Sequence, residues 1–217
     1  MKEKPIIYSD PMVVATLEGR KTQTRRIVKR LAKYGKIIGF DRADTKGYAC
    51  QFRDKRGRLH NLTYEELLKA CPYGTVGEKL WVRESTIEDY IDDKPLARYS
   101  ADMAWSDIKW WYSRPSCPSI HMPRWASRIT LEITSLRVER VQDISDDDVG
   151  REGLAVFGGG DVDSSGQWHR LYFDPRPDHD NEGIFAKEAY KNLWGMIHGK
   201  NEWDKNPWVW VIGVKRI

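Results

Sequence analysis

Residues 19–26 read Gly-Arg-Lys-Thr-Gln-Thr-Arg-Arg. Hydroxyls interleaved with cations suit the holding of an anion or a polar planar ligand. Arg20, Arg25 and Arg26 supply charge, while Thr22 and Thr24 supply short directional hydrogen bonds. Crowding by these neighbours disfavours a further ammonium, so the pKa of Lys21 should fall, which would fit it to act as a base. Glu152 stands in the last turn of a later helix, where the carbonyl end of the macrodipole is a poor place for a carboxylate. Its pKa should rise unless a cation is near. A lysine and a glutamate tuned toward each other beside a threonine hydroxyl make a minimal acid/base and nucleophile set. Nothing in the spacing puts Glu152 beside Lys21, and a solvated basic turn is the alternative reading of the segment.

The elements that must position these residues follow from punctuation and periodicity. Pro5 to Tyr8 reads as a short strand. Asp10 is a fitting N-cap, Pro11 suits the first helical position, and Gly19 closes a two-turn helix over Met12 to Glu18 before the basic turn. Residues 29–70 are rich in charge and glycine and predict a weak hairpin and a short helix near Tyr64 to Ala70. A glycine turn then feeds an alternating strand through Leu80, Trp81, Val82 and Arg83, with Leu80 and Val82 on one face. Ile129 to Arg140 alternates cleanly and should bend near Ser135. Ser145 caps a helix with aspartates in its first turn and Gly153 at its end. Ile184 to Ile197 has helical spacing, and Pro207 opens a last strand, Trp208 to Val214. Residues 86–118 show weak periodicity, and 158–182 read as a long loop or mobile insertion.

Composition narrows the class. With 217 residues the chain fits one domain with insertions, and its net charge of +4 is only mildly basic. The charge is uneven: residues 19–36 carry eight Lys and Arg and no acid, which points to a polyanion, nucleic acid first. Ten Trp is a high count, and Trp105, Trp110, Trp111 and Trp125 lie near cations or Ser, a setting used to stack bases, although core and rim packing accounts for many of them. Cys50, Cys71 and Cys117 are odd in number and widely spaced, which argues against a disulfide framework and for a reducing cytoplasm. Cys117 and His121 have no second ligand pair, so no metal is expected, and no run approaches transmembrane length. His121, His169 and His179 read as polar loop residues. Short, separated strands outnumber helices, which predicts an α+β fold: a small mixed β-barrel flanked by helices.

The Gly19-Arg20-Lys21-Thr22-x-Thr24 turn after an N-terminal helix resembles the signature of the ASCH domain of the PUA-like superfamily. The Gly77-Glu78-x-Leu80-Trp81-Val82 strand and the strand-then-helix from Ile129 to Leu154 are similar to it too. Pro118 to Arg128 and the Asn206-Pro207-Trp208-Val209-Trp210 ending resemble segments of the longer phage- or prophage-borne members. The resemblance implies one PUA-like domain over 1–217, with insertions near 31–70, 86–116 and 155–182, in a bacterial or phage-infected cytoplasm.

A shorter bacterial branch of that family removes the acetyl group from N4-acetylcytidine. Carried over by position, its set implies Lys21 as base, Thr24 as nucleophile and Glu152 as proton shuttle, without metal or cofactor. Arg26 is a candidate oxyanion donor. Arg20, Thr22, Arg25, Arg26, Trp81, Arg83, Glu84, Arg124, Trp125 and Arg128 are candidates for holding RNA or a modified nucleoside, with Arg124, Trp125 and Arg128 able to stack and clamp. Arg83 and Glu84 each read equally as a member of an ion pair on a barrel rim. Arg25 beside the nucleophile, and Trp81 and Arg83 near the cleft, depart from the short enzyme and could remodel the pocket. A binding module without chemistry and a metal-independent ribonuclease are the alternatives.

Overall fold

The structure, a computed structural model, describes residues 3–175 and 183–217. Strand β1 (Lys4–Ile7) leads into helix α1 (Asp10–Leu17). The cap is Ser9, extended at φ −77° and ψ 162°, rather than Asp10. Asp10 instead opens the helix, where its charge meets the positive end of the dipole. Gly19 then turns the chain at φ +78°. The basic segment is a turn only as far as Thr22. Thr24, Arg25 and Arg26 belong to strand β2 (Gln23–Ile27), held extended by pairing with the last strand.

Strands β3 (Arg30–Leu31), β4 (Gly35–Arg42), β5 (Cys50–Asp54) and β6 (Leu59–Leu62) form a four-stranded sheet in chain order, a fuller structure than the hairpin expected there. Helix α2 (Tyr64–Lys69) follows, started by a reciprocal Thr63–Glu66 capping box. After β7 (Lys79–Arg83) comes a second sheet of β8 (Thr86–Ile91), β9 (Lys94–Tyr99), β10 (Trp105–Lys109) and β11 (Ser116–Cys117), ordered β10-β9-β8-β11. Its first hairpin turns on Asp92 and Asp93, both at positive φ, as a tight two-residue turn requires. The chain continues through β12 (Thr130–Arg140), α3 (Asp146–Arg151), β13 (Val156–Val162), β14 (Trp168–Phe173), β15 (Gly183–Phe185), α4 (Ala186–His198) and β16 (Trp208–Arg216). The expectation of a loop over 158–182 is corrected in its described part: β13 and β14 pair antiparallel, and β15 joins them. Residues 176–182, with His179, lie outside the described residues.

The central sheet runs β1-β7-β12-β16-β2, with β1 parallel to β7 and every other pair antiparallel. The fold is therefore mixed α+β, rich in strands and poor in helix. No closed barrel forms among the described residues, because β1 and β2 remain the two edges of this sheet. β12 shifts register between Ile133 and Ser135, at the expected bend. A Cβ on Gly213 would come within 2.2 Å of the Ser135 Oγ, so the bulge fits against a glycine.

β16 is buried on both faces. Trp210, Ile212 and Val214 join one core with Tyr8, Val13, Phe52 and Leu67. Val209 and Val211 join another with Val149, Tyr172, Ala189, Tyr190 and Trp194. β7 departs from the expected alternation, since Leu80, Trp81 and Val82 are all buried. Trp81 lies beneath the guanidiniums of Arg83 and Arg124, at 4.8 and 5.9 Å.

Candidate active site

Cross-strand pairing sorts the side chains of β2. Thr24 pairs with Ile212, Arg25 with Val211 and Arg26 with Trp210. Paired residues share a face, so Thr24 and Arg26 face the core of Tyr8, while Arg25 faces α3 and α4. Lys21 stands just before the strand, its backbone N–H donating to the Ala15 carbonyl at 2.9 Å. The Thr22 N–H donates to the Arg151 carbonyl at 2.9 Å, which draws the end of α3 onto the basic turn.

This docking brings Lys21 and Glu152 together. The Lys21 Nζ donates to the Glu152 Oε2 at 3.1 Å and to the Glu152 backbone carbonyl at 2.8 Å. The lysine side chain is fully buried. Burial lowers its pKa, Glu152 opposes that shift, and the charges of Arg26 and Arg25 reinforce it. The direction agrees with the expectation from crowding, but desolvation is the larger cause. The other Glu152 oxygen, Oε1, accepts from Arg25 Nη1 at 3.0 Å. Arg25 also donates to Glu139 at 2.5 Å and to Asp148 at 2.7 Å. Arg137 joins through the same two carboxylates. Lys21, Arg25 and Arg137 thus face Glu139, Asp148 and Glu152, three cations against three anions. Burial pushes Asp148 up, yet Arg25 and Arg137 prevail and hold it below the ordinary aspartate range.

Tyr8 is the member that the residue types did not reveal. Its ring lies 5.4 Å from the Lys21 Nζ and 5.8 Å from the Arg26 guanidinium. Burial raises its pKa, with Arg26 and the neighbouring Thr24 hydroxyl pulling the other way. The Tyr8 Oη and the Thr24 Oγ1 are both buried without a partner in hydrogen-bonding geometry. The two hydroxyls adjoin in the core and are each other's hydrogen-bond neighbour, though off ideal geometry, and a buried hydroxyl left without any partner would be costly. A single signal at Tyr8 was available: it sits at the junction of the first strand and the helix cap. Glu139, Asp148, Arg137 and Tyr190, whose ring lies 5.7 Å from the Arg25 guanidinium, carry no signal of a site in the sequence, since their placement depends on packing between elements far apart in the chain.

The binding candidates divide. Arg26 stays near the site, its Nη2 donating to the Ile7 carbonyl at 2.7 Å and so spanning the two edge strands. Arg20 is exposed, binds Glu18 and donates to the Gly153 carbonyl, which fastens the end of α3. Thr22 is exposed. Arg25 does not form part of an exposed charged frame, because its side chain is fully buried and its charge is spent on three carboxylates.

The other candidates lie on β7 and the segment before β12. Arg83 donates to the Ile120 carbonyl at 3.2 Å over the Trp81 ring, and Arg124 binds Glu3 and Thr130. Glu84 is fully buried and forms a two-bond pair with Arg128, at 2.9 and 2.8 Å. Arg128 also binds Asp102 and lies 3.9 Å over the Tyr99 ring. It is therefore neutralised from two sides and is not free to clamp a phosphate. Trp125 is 60% exposed, edge-on to Trp111 at 5.0 Å, and is open to a stacking partner.

Among the described residues no group of three or more His, Cys, Asp or Glu could hold a metal ion, and no helix is long and apolar enough to cross a membrane. No protein family, curated protein or solved structure matches this chain.

Proposed function

We propose that the chain is an ASCH-type domain of the PUA-like superfamily, that its basic cleft binds RNA or a modified nucleoside, and that it hydrolyses the amide of an N4-acylated cytidine. The observation that carries this reading is a buried lysine of lowered pKa, held by Glu152 and lying over the Tyr8 ring, whose hydroxyl adjoins the buried Thr24 hydroxyl. The Arg26 bridge between β1 and β2 supports a barrel-like enclosure of the cleft from side chains rather than from a continuous ladder.

In the proposed reaction the Thr24 Oγ attacks the acyl carbon, and Lys21, as the free amine, takes the hydroxyl proton. Glu152 passes that proton to the exocyclic nitrogen as the carbon–nitrogen bond breaks and cytidine leaves. Water then hydrolyses the acyl-threonine ester, releasing the carboxylic acid and restoring the hydroxyl. Arg26 and the hydroxyl of the adjoining Tyr8 would donate to the developing oxyanion. Conversion of N4-acetylcytidine to cytidine by the wild type, followed chromatographically and abolished in Lys21→Ala, is the expected result. Absence of turnover at high protein concentration would sink the hydrolytic reading.

One observation favours a binding module without chemistry: both Glu152 oxygens already have cationic partners. On that reading nucleoside or RNA binds with a steep salt dependence and is recovered unchanged. Affinity that stays flat as salt rises would remove it.

A further inference from the structure

Beyond the C-terminal end of β2, where β4 crosses the ends of β12 and β16, two concavities adjoin. One encloses about 290 Å³ and is lined by Lys29, Lys36, Ile37, Phe40, Arg140 and Trp208 among others. The second, of about 190 Å³, shares Phe40 and Trp208 and adds Arg42 and Tyr64. The shared rings stand edge to face at 5.9 Å. Arg140 and Arg42 lie 4.3 and 5.8 Å from the Trp208 ring. Asp41 fixes this arrangement by accepting from the Trp208 Nε1 at 3.2 Å and from Arg140 at 3.1 Å. Lys29 and Lys36 are exposed on the same concavity and have no ion-pair partner among the described residues.

The surrounding charge is concentrated here. Residues 29–58 hold ten Lys and Arg against three acids, in a chain whose net charge is only +4, so the remainder is net acidic. Half-buried aromatics recessed between unpaired cations suit a ligand that alternates flat rings with negative charge. Phe40 and Trp208 are half-buried in the groove, with Tyr64 exposed at its edge.

We infer that this groove binds single-stranded nucleic acid, with phosphates at Lys29 and Lys36 and a base against the Phe40–Trp208 pair. Ile27 of the groove and the buried Thr24 stand three residues apart on one strand, about 10 Å, so the groove adjoins the proposed site. That continuity rests on the proposed reading of the cleft, whereas binding at the groove does not.

The test is fluorescence anisotropy with a labelled, unmodified single-stranded oligonucleotide at about 50 and about 200 mM salt. The double variant Lys29→Gln/Lys36→Gln should weaken binding at least about ten-fold at low salt and flatten the log–log salt slope by about 1.4, two phosphate contacts on a single strand. Phe40→Leu should weaken binding at both salts with the slope unchanged. Both variants should leave turnover of free N4-acetylcytidine as in the wild type. No oligonucleotide binding by the wild type, or equal affinity and slope in the double variant, overturns the inference. Equally strong competition by polyglutamate or by phosphatidylserine vesicles overturns it too, since the surface would then answer to any polyanion. Failure of the hydrolytic reading looks different: oligonucleotide binding persists while the nucleoside is untouched.

Discussion

Lys21 touches Glu152 twice, at the carboxylate and at the backbone carbonyl, across 131 positions of sequence. The second contact matters as much as the first. A free carbonyl at the end of α3 carries the negative pole of the helix, and the ammonium answers it directly. Glu152 in turn reaches both Lys21 and Arg25. Lysine, carboxylate and guanidinium therefore hold one another in place around the edge strand β2, while the Thr24 hydroxyl adjoins Tyr8, the ring that Lys21 lies over.

Hydrolysis should follow the state of that lysine. Burial holds Lys21 below its ordinary value of 10.5, so the free amine, and with it the rate, should increase with pH along a limb centred below that value. Lys21→Arg keeps a cation but has no accessible free base, and should lose about 10²–10⁴-fold in kcat together with the limb. The measurement is a pH–rate profile of N4-acetylcytidine hydrolysis. An unchanged limb in the arginine variant would show that another group titrates.

Gly153 should tolerate no side chain. It adopts φ +99°, and a Cβ there would stand 2.9 Å from the Ala15 Cβ and 3.0 Å from the Lys21 Cβ. Gly153→Ala should cost about 2–4 kcal/mol, combining left-handed strain with overpacking, and should slow turnover by displacing Lys21. Gly19→Ala is the control. At φ +78° with open space around it, it should cost only about 1–2 kcal/mol. Urea denaturation of the two variants compares them, and equal losses would refute the crowding argument.

Glu84 and Asp102 share Arg128 but should not matter equally. Glu84 is fully buried and Asp102 is partly exposed. Glu84→Gln leaves a cation short of its buried partner and should cost about 3–5 kcal/mol, whereas Asp102→Asn should cost less than about 1 kcal/mol. Neither should alter oligonucleotide affinity. A selective loss of nucleic-acid binding in either folded variant would return Arg128 to the binding surface.

Asp54 should shape stability in acid. Burial opposes its ionisation, but a hydrogen bond with His60 and the backbone N–H groups of Arg58 and Arg56 hold its pKa down to about 2, from an ordinary 3.8. A carboxylate lowered on folding stabilises fully above its unfolded value and loses that contribution as pH falls through the folded one. The stability curve should therefore drop between about pH 4 and pH 2, and Asp54→Asn should flatten that part of it. Denaturant midpoints measured across this window decide the matter.

The legible parts of the sequence are those with local causes. Ser145 caps α3 with its own side chain, the bend near Ser135 is present, and Gly19 leaves α1 as expected. β2 was hidden because a basic segment has no strand signature of its own, and pairing with β16 supplies the extension. The glycines of β13 read as a loop, yet Gly160 has no Cβ because Trp168 lies across it, with ring atoms 2.1 Å from where one would be. Arg25 shows the limit at the site itself. Its type announces charge, while its burial among three carboxylates depends on elements more than a hundred residues away.

Those separations have a consequence for biosynthesis. Lys21 and Arg25 leave the ribosome well before Glu139, Asp148 and Glu152, and β2 has no neighbour in the sheet until β16 has been made. At about 5–20 residues per second the interval before Glu152 appears is on the order of 10 s. Through that time both cations must stay hydrated, since a desolvated charge without its counter-ion is unaffordable. The centre is thus the last thing the nascent chain can assemble, and no ligand can be processed there before β16 has docked.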